Sequence, residues 1–429
     1  GLVYPDRRPH TGLLEFKNIY RPARVTHYDQ STGTLTLHNY MDFVDLTDYA
    51  TLSYELNCDG QVVSAGSVPF PGGFRLPPHA DGTLPLPLDV PAKGKCFVNI
   101  CYHCKQDSAL IKADHLLGFD EIPLQNSDPR NQDAVQLLGR PAGDGLITIR
   151  ETDRMLVLSC EQFTYVFNKL TGLFDKMTFA NEPLLDQPMG FNVWRAPTDN
   201  DRKLKADWYA AHYDHAATNA YHTEYTVTAS GVTLHTHVGI AAICVQKFLD
   251  LDVTWTVANN GSVDLALHAQ RNTVFPELPR FGLRLFLPQE MSQVNYYGMG
   301  PMECYCDKHH AASHNSYTAT VWQLHEDYIR PQENGSHFDC DYVMLAGDAV
   351  RLTAVGTQPF SFNASHYTQE ELTRKAHNYE LEPCSSTVLC LDYAQNGIGS
   401  ESCGPRLLEQ YRLDDATFNF GLRLFPEKK

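Results

Sequence analysis

Two polar stretches of this sequence hold more chemistry than turns between strands require. Trp194-Arg195-Ala196-Pro197-Thr198-Asp199-Asn200-Asp201 puts an aromatic ring, a guanidinium and three Asx side chains into one short segment. Aromatic faces stack on the C–H faces of sugar rings, while Asp, Asn and Arg exchange paired hydrogen bonds with hydroxyls. An Asx-stabilised loop uses the same residue types, and the residues alone leave both readings open. The second stretch is Asn396-Gly397-Ile398-Gly399-Ser400-Glu401-Ser402-Cys403-Gly404-Pro405. Its three glycines and proline surround short polar side chains and a thiol, which gives a tight surface loop offering backbone groups and small polar atoms.

Other catalytic patterns do not stand out. With 51 carboxylates, spacing cannot select the pair that a retaining glycosidase holds about 5–5.5 Å apart. No Gly-x-Ser-x-Gly elbow marks a nucleophile. Gly397-Ile398-Gly399 lacks the third glycine and the helix of a dinucleotide loop. His212 and His215 share one face of an expected helix, without the glutamate of a zinc-protease motif. His309 and His310 are adjacent and cannot turn to one ligand from a strand. Cys101 and Cys104 have chelate spacing but no second pair, and Cys304 and Cys306 make a poorer chelate. The 12 cysteines read as reduced, apolar thiols of a cytosolic protein. Asn-x-Ser matches at Asn260, Asn334 and Asn363 are chance matches in the absence of a secretory signal.

The elements that must position these loops are strands. Period-two alternation dominates, as in Thr34–His38 and Thr51–Leu56. Asp59-Gly60 between two such runs is a strong hairpin signal, because a type I′ turn needs positive φ at both positions. Leu170-Thr171-Gly172, Ser230-Gly231 and Asn259–Ser262 repeat the pattern. Short strands at this spacing predict antiparallel sandwiches. Helical periodicity is confined to Lys205–His215 and Gln369–Ala376, and no alternation of strand and helix encodes a parallel barrel. The stretch 108–145 is loose, with Asp, Asn, Gly and Pro dense after Asn126, and clean alternation resumes at Leu146. The 429 residues therefore divide into a small sandwich and a large β domain. A net charge of −17 without a basic run argues against nucleic acid and anionic membranes as partners. No apolar run approaches the roughly 20 residues of a membrane helix. Gly1 in place of Met points to a start inside a longer chain.

Several segments together resemble a known family. Gly1-Leu-Val-Tyr-Pro-Asp-Arg-Arg-Pro-His10, with Leu14–Lys17 and Tyr20-Arg21-Pro22, resembles the segment leaving the catalytic barrel of bacterial β-galactosidases of glycoside hydrolase family two. The same order continues through Arg195–Asp201, then Tyr297-Gly-Met-Gly-Pro-Met-Glu303 with Tyr305 and Asp307. Arg330-Pro-Gln-Glu-Asn-Gly335, Phe362-Asn363 with Tyr367, Glu371 and Leu372, and finally Gly397-Ile-Gly399 before Ser402-Cys-Gly-Pro405 complete the match.

The resemblance implies an all-β chain. Residues 1–19 would leave the barrel, 20–140 would form an immunoglobulin-like β-sandwich, and 146–429 a large antiparallel sandwich of the galactose-mutarotase-like supersandwich kind. The barrel and N-terminal domains, with the two catalytic glutamates and the magnesium and sodium of the active site, would lie upstream. This chain would hold no cofactor and no catalytic residue, and would be inactive alone. Its expected contribution is to the aglycone side of the site. The family's aromatic platform falls at Cys403, with Ser402 beside it, and Arg195, Asp199 and Asn200 belong to a neighbouring positioning loop. A thiol cannot stack on a sugar as an indole does, so aglycone preference should differ. Glu303, Tyr305, Asp307, Glu333 and Asn334 are read as structural. Expected partners are the missing domains of the same enzyme, a β-galactoside aglycone and further copies in a homo-oligomer, in the bacterial cytoplasm. The alternative is a free-standing carbohydrate-binding or adhesion module, which needs its own platform. Trp194 is the one tryptophan beside a sugar-compatible loop. A purely structural interaction domain is the third reading.

Overall fold

The computed structural model describes residues 2–399 and 403–429. The chain divides into two compact units, Gly1–Val135 with His309–Ser316, and Gln136–Lys308 with Tyr317–Lys429.

Among the described residues, the first unit holds a three-stranded and a four-stranded antiparallel sheet. Ala23–Asp29, Thr34–Asn39 and Asp81–Pro85 form one; Gln61–Ser67, Ala50–Cys58, Cys96–Cys104 and Leu116–Pro123 form the other, in those spatial orders. Alternation drives both. Leu35 and Leu37 on one sheet, and Leu52, Leu56, Val98 and Ile100 on the other, are buried in one core. The Asp59-Gly60 turn has φ of 50° and 81° and sets Cys58 opposite Gln61. The first strands follow a helix, Thr11–Ile19, within the segment 1–19 expected to leave the barrel, where no helical periodicity stood out. The distant piece His309–Ser316 joins this unit through two carboxylates. Glu15 accepts from the His310 and Ala311 N–H groups, and Glu121 meets the His314 ring at 2.6 Å.

The second unit carries a five-stranded antiparallel meander, Thr148–Glu151 through Glu182–Pro183, and a twelve-stranded antiparallel sheet. One hydrophobic core draws on both. Trp255 of the large sheet meets Phe174 of the meander edge-on, centroids 5.4 Å apart, and its indole N–H donates to the Gly172 carbonyl at 3.0 Å. The Tyr165 hydroxyl donates to the Gly261 carbonyl at 2.6 Å. Buried aromatic residues thus satisfy their polar tips on hairpin carbonyls. The expected helix over Lys205–His215 is shorter: it spans Leu204–Ala210, and His212 at φ 56° breaks it before a 3₁₀ turn, Tyr213–His215. That break removes the shared helical face of His212 and His215. The helix expected over Gln369–Ala376 forms over Gln369–Arg374, its N-terminus capped by the Thr368 hydroxyl and its end set by the extended Lys375. A further helix, Gln132–Leu138, lies inside the stretch read as a linker.

No helix among the described residues is long and apolar enough to cross a membrane. The cysteines are free thiols. Cys101 and Cys104 sit on one strand, where burial pushes the Cys101 thiol up to about 11. No group of three or more His, Cys, Asp or Glu among the described residues is arranged to hold a metal ion.

Candidate functional site

The two polar stretches meet in the second unit. After the strand Gln187–Asn192 the chain runs through Trp194 and Arg195 into a 3₁₀ turn, Asp199–Arg202. Asp201 closes this turn by accepting the Thr198 N–H at 2.8 Å. The strand Ser386–Gln395 ends where the second stretch begins.

Arg195 ties the two together. Its Nη2 donates to Asp201 Oδ1 at 2.7 Å and to the Gly397 carbonyl at 3.1 Å. Its Nε reaches Asp201 Oδ2 at 3.3 Å, and its Nη1 donates to the Asn396 carbonyl. The guanidinium also lies 5.1 Å from the Trp208 ring centroid. A planar fork with five donors suits this division between one carboxylate and two carbonyls. Asn200 adds a bond from Nδ2 to the Ile398 carbonyl at 2.8 Å. Asp307 grips the same backbone by its N–H groups, accepting from Ile398 at 3.0 Å and Gly399 at 2.7 Å. A side chain at Gly397 or Gly399 would run into that carboxylate, with Cβ positions 2.8 and 2.9 Å from it.

A buried ionic network supports the loop from behind. Glu333 and Ala196 exchange hydrogen bonds, backbone N–H to carbonyl at 2.9 Å and Ala196 N–H to Glu333 Oε2 at 3.3 Å. Arg280 donates to Glu333 at 2.7 Å and grips Asp392 through both Nε and Nη2. Burial raises the Glu333 carboxyl above the usual range; Arg280 opposes this and Asp392 reinforces it. Burial likewise raises Asp392 against the pull of Arg280. Glu303 goes the other way. Burial pushes it up, but Lys308, the Tyr328 hydroxyl at 2.5 Å and the Gly335 N–H at 2.9 Å outweigh burial and hold it low. These are charges with full sets of partners, arranged to hold backbone rather than to exchange protons with a substrate.

In front of this network lies an open groove of about 500 Å³, lined by Asn200, Asp307, Gly399, Cys403, Pro405 and Leu407 among others. Cys403 is exposed on it. Asp199 is exposed, its N–H bonded to Gln332 Oε1 at 3.1 Å. Ser402 lies outside the described residues. Arg195, expected among the substrate contacts, is 0% exposed. Its donors are spent on Asp201 and two carbonyls, so it holds the loop and does not reach the groove. Trp194 is also buried, its indole N–H donating to Thr373 Oγ1 at 3.1 Å and its ring edge-on to Trp208. It presents no platform, and the free-standing binding module loses the tryptophan it relied on. Sequence reasoning missed Arg280 and Asp392. They stand 112 positions apart, and no spacing rule connects them.

Two family models match the chain: "Beta-galactosidase, domain 4" over residues 35–125 and "Beta galactosidase small chain" over residues 159–424. The β-galactosidase of Actinobacillus pleuropneumoniae is 39% identical over 428 residues, covering 100% of this chain and 41% of that protein. The β-galactosidase of Staphylococcus xylosus is 33% identical over 429 residues, covering 99% of this chain and 42% of that protein. Among solved structures, a galactose mutarotase-like protein from Lactobacillus casei covers 64% of this chain at TM-score 0.35 and 11% identity, a distant likeness. The chain thus spans about two-fifths of the length of these two curated relatives. With a family model on each unit and relatives that match 99–100% of its length, the chain belongs to the β-galactosidase family, as its domain 4 and small-chain part.

Proposed function

We propose that this chain is the non-catalytic C-terminal part of a retaining β-galactosidase, and that its groove completes the aglycone side of the active site. The observation that carries the reading is the pinning of the Asn396–Gly399 backbone. Arg195 and Asn200 hold its carbonyls, Asp307 holds its N–H groups, and Asn200, Asp307, Gly399 and Cys403 line one open surface. A loop fixed by its main chain positions side chains without flexing, as a subsite wall requires. Proton transfer and nucleophilic attack would belong to the barrel of the same enzyme, which would also hold magnesium and sodium. The partners would be that barrel, the N-terminal domains, the aglycone and further copies of the enzyme, in the bacterial cytoplasm. At Cys403 a thiol offers a small polarizable contact where an aromatic platform would offer a stacking face, which would weaken preference for flat or cyclic aglycones.

The test is a chromogenic β-galactoside assay on the chain alone and mixed with an N-terminal half carrying the barrel. No turnover alone and turnover on mixing are expected. In the mixture, Cys403→Trp should shift relative kcat/KM among aglycones while the hydrolysis of a common galactosyl intermediate stays unchanged. Turnover by the chain alone would refute the proposal, as would two folded halves that remain silent together.

A further inference from the structure

Two thiols of the first unit stand face to face. Cys58 ends the strand Ala50–Cys58 and Cys96 begins the strand Cys96–Cys104, the two central strands of the four-stranded sheet. The register sets them directly opposite each other, as the last pair of the ladder. Both side chains therefore leave the same face of the sheet, and it is the face turned to the core. The two sulfurs are 2.8 Å apart. Backbone bonds mark which pairs of this ladder are hydrogen-bonded. The Lys105 N–H donates to the Tyr49 carbonyl at 2.9 Å, and the Asp59 N–H to the Lys95 carbonyl at 3.1 Å. Counting in twos from either end passes over Cys58 and Cys96. They are thus a non-hydrogen-bonded pair, the kind whose Cα atoms stand about 4.5 Å apart. A disulfide spans Cα separations of about 4.4–6.8 Å, so the two strands already stand at bonding distance.

We propose that Cys58 and Cys96 are an oxidation site, which a peroxide converts into a disulfide joining the two central strands of the small sandwich. Cys58 is the more open of the two, 9% exposed against 2%, and the end of a ladder opens more readily than its middle. Its sulfur attacks one peroxide oxygen. The O–O bond breaks, and the leaving hydroxide takes the thiol proton as water. That leaves a sulfenic acid at Cys58. The Cys96 sulfur then displaces the hydroxyl: the S–S bond forms, the S–O bond breaks, and the Cys96 proton leaves in a second water. Two thiols lose two electrons and two protons, and the peroxide is reduced to two waters. Burial pushes the Cys58 thiol up to about 12 and raises Cys96 as well, so placement rather than an activated thiolate selects the pair. The exposed Cys244 and Cys403 meet an oxidant sooner, but an oxidised sulfur at Cys58 has a second thiol already in contact. The inference does not depend on the groove, which neither residue lines.

The experiment treats the full folded chain with hydrogen peroxide, removes the oxidant, alkylates the remaining thiols in urea and maps the peptides by mass. A linked pair of peptides carrying Cys58 and Cys96, lighter by two hydrogens, is expected. Alkylation of both residues should be lost and should return with dithiothreitol. This readout needs no variant. Cys96→Ala removes the second thiol, so dimedone should tag Cys58 as its sulfenic acid in that variant and not in the unaltered chain, with near-ultraviolet circular dichroism unchanged by the substitution. Recovery of Cys58 and Cys96 as thiols after Cys244 and Cys403 have been oxidised would overturn the proposal. So would a disulfide that joins other cysteines in place of this pair, one that forms only when urea is present during oxidation, or a folded Cys96→Ala chain whose Cys58 takes no tag.

Discussion

Arg195→Lys separates the charge of the anchor from its shape. Lysine keeps a positive group beside Asp201, so no buried carboxylate is stranded. A compact ammonium cannot reproduce a fork that serves Asp201 and the carbonyls of Asn396 and Gly397 together. If the ammonium stays with Asp201, two buried carbonyls lose their donors. Each unmet group costs about 1–3 kcal/mol, and the variant therefore about 2–6 kcal/mol. At roughly 2–4 °C per kcal/mol for a large unit, the melting point should fall by about 4–24 °C. Scanning calorimetry of the chain measures this. The indole of Trp208, which the guanidinium faces, reports the local change by near-ultraviolet circular dichroism. Arg195→Met should fall further, since it also leaves Asp201 without its counter-charge. An Arg195→Lys melting point within about 1 °C of wild type, worth under ~0.5 kcal/mol, would refute the argument. So would Lys and Met variants of equal stability, since charge would then contribute nothing.

Asp307→Ala removes both acceptors from the Ile398 and Gly399 N–H groups. Amide exchange at those two positions should accelerate by about tenfold or more, the equivalent of ~1.4 kcal/mol, with the global unfolding midpoint little changed; unchanged exchange would show that the carboxylate does not hold the loop. Glu333 has its folded pKa above the unfolded one. It therefore binds protons more readily in the folded chain, and its contribution to stability is lost as pH rises through the folded value. As pH rises above the ordinary glutamate value of about 4.3, urea unfolding of Glu333→Gln should give stability that rises more steeply, or falls less, with pH than wild type; parallel curves would contradict the linkage. Glu303 has the opposite sign, its contribution present above the unfolded value and lost as pH falls through the lowered folded one. Gly60→Ala asks an alanine to hold φ near 81° with its Cβ 2.6 Å from the Ser316 nitrogen. A loss of at least about 1–3 kcal/mol is expected in urea unfolding, and none would mean the turn relaxes freely.

The sheets were legible because alternation and turn chemistry are local. Asp59-Gly60, Gly172 and Gly261 announce their hairpins within a few residues, and all adopt the positive φ those turns demand. The two loops were legible by composition. What gives them their roles was not. Arg195 carries the residue type of a sugar contact, and only its burial shows that its donors are spent. Arg280, Glu333 and Asp392 come from distant strands and loops, and nothing in their spacing foretells a shared network. The helix Thr11–Ile19 lacks a capping side chain, so its start carries no signal. His309–Ser316 belongs with the first unit through Glu15 and Glu121, a pairing across nearly 300 and nearly 200 residues that no local pattern encodes.

The grip on Ile398 and Gly399 is made on peptide groups: Asn200 on a carbonyl, Asp307 on two N–H groups. A hold of that kind does not depend on the side chain of Ile398, while Gly397 and Gly399 must stay without one, because a Cβ there would meet Asp307. Substitution at the exposed Cys403 then alters what the surface touches without breaking any of these bonds. Exchange at Cys403 should therefore cost little stability, and under the proposed aglycone role it is the first position to vary for a new leaving-group preference while Arg195, Asn200 and Asp307 stay fixed.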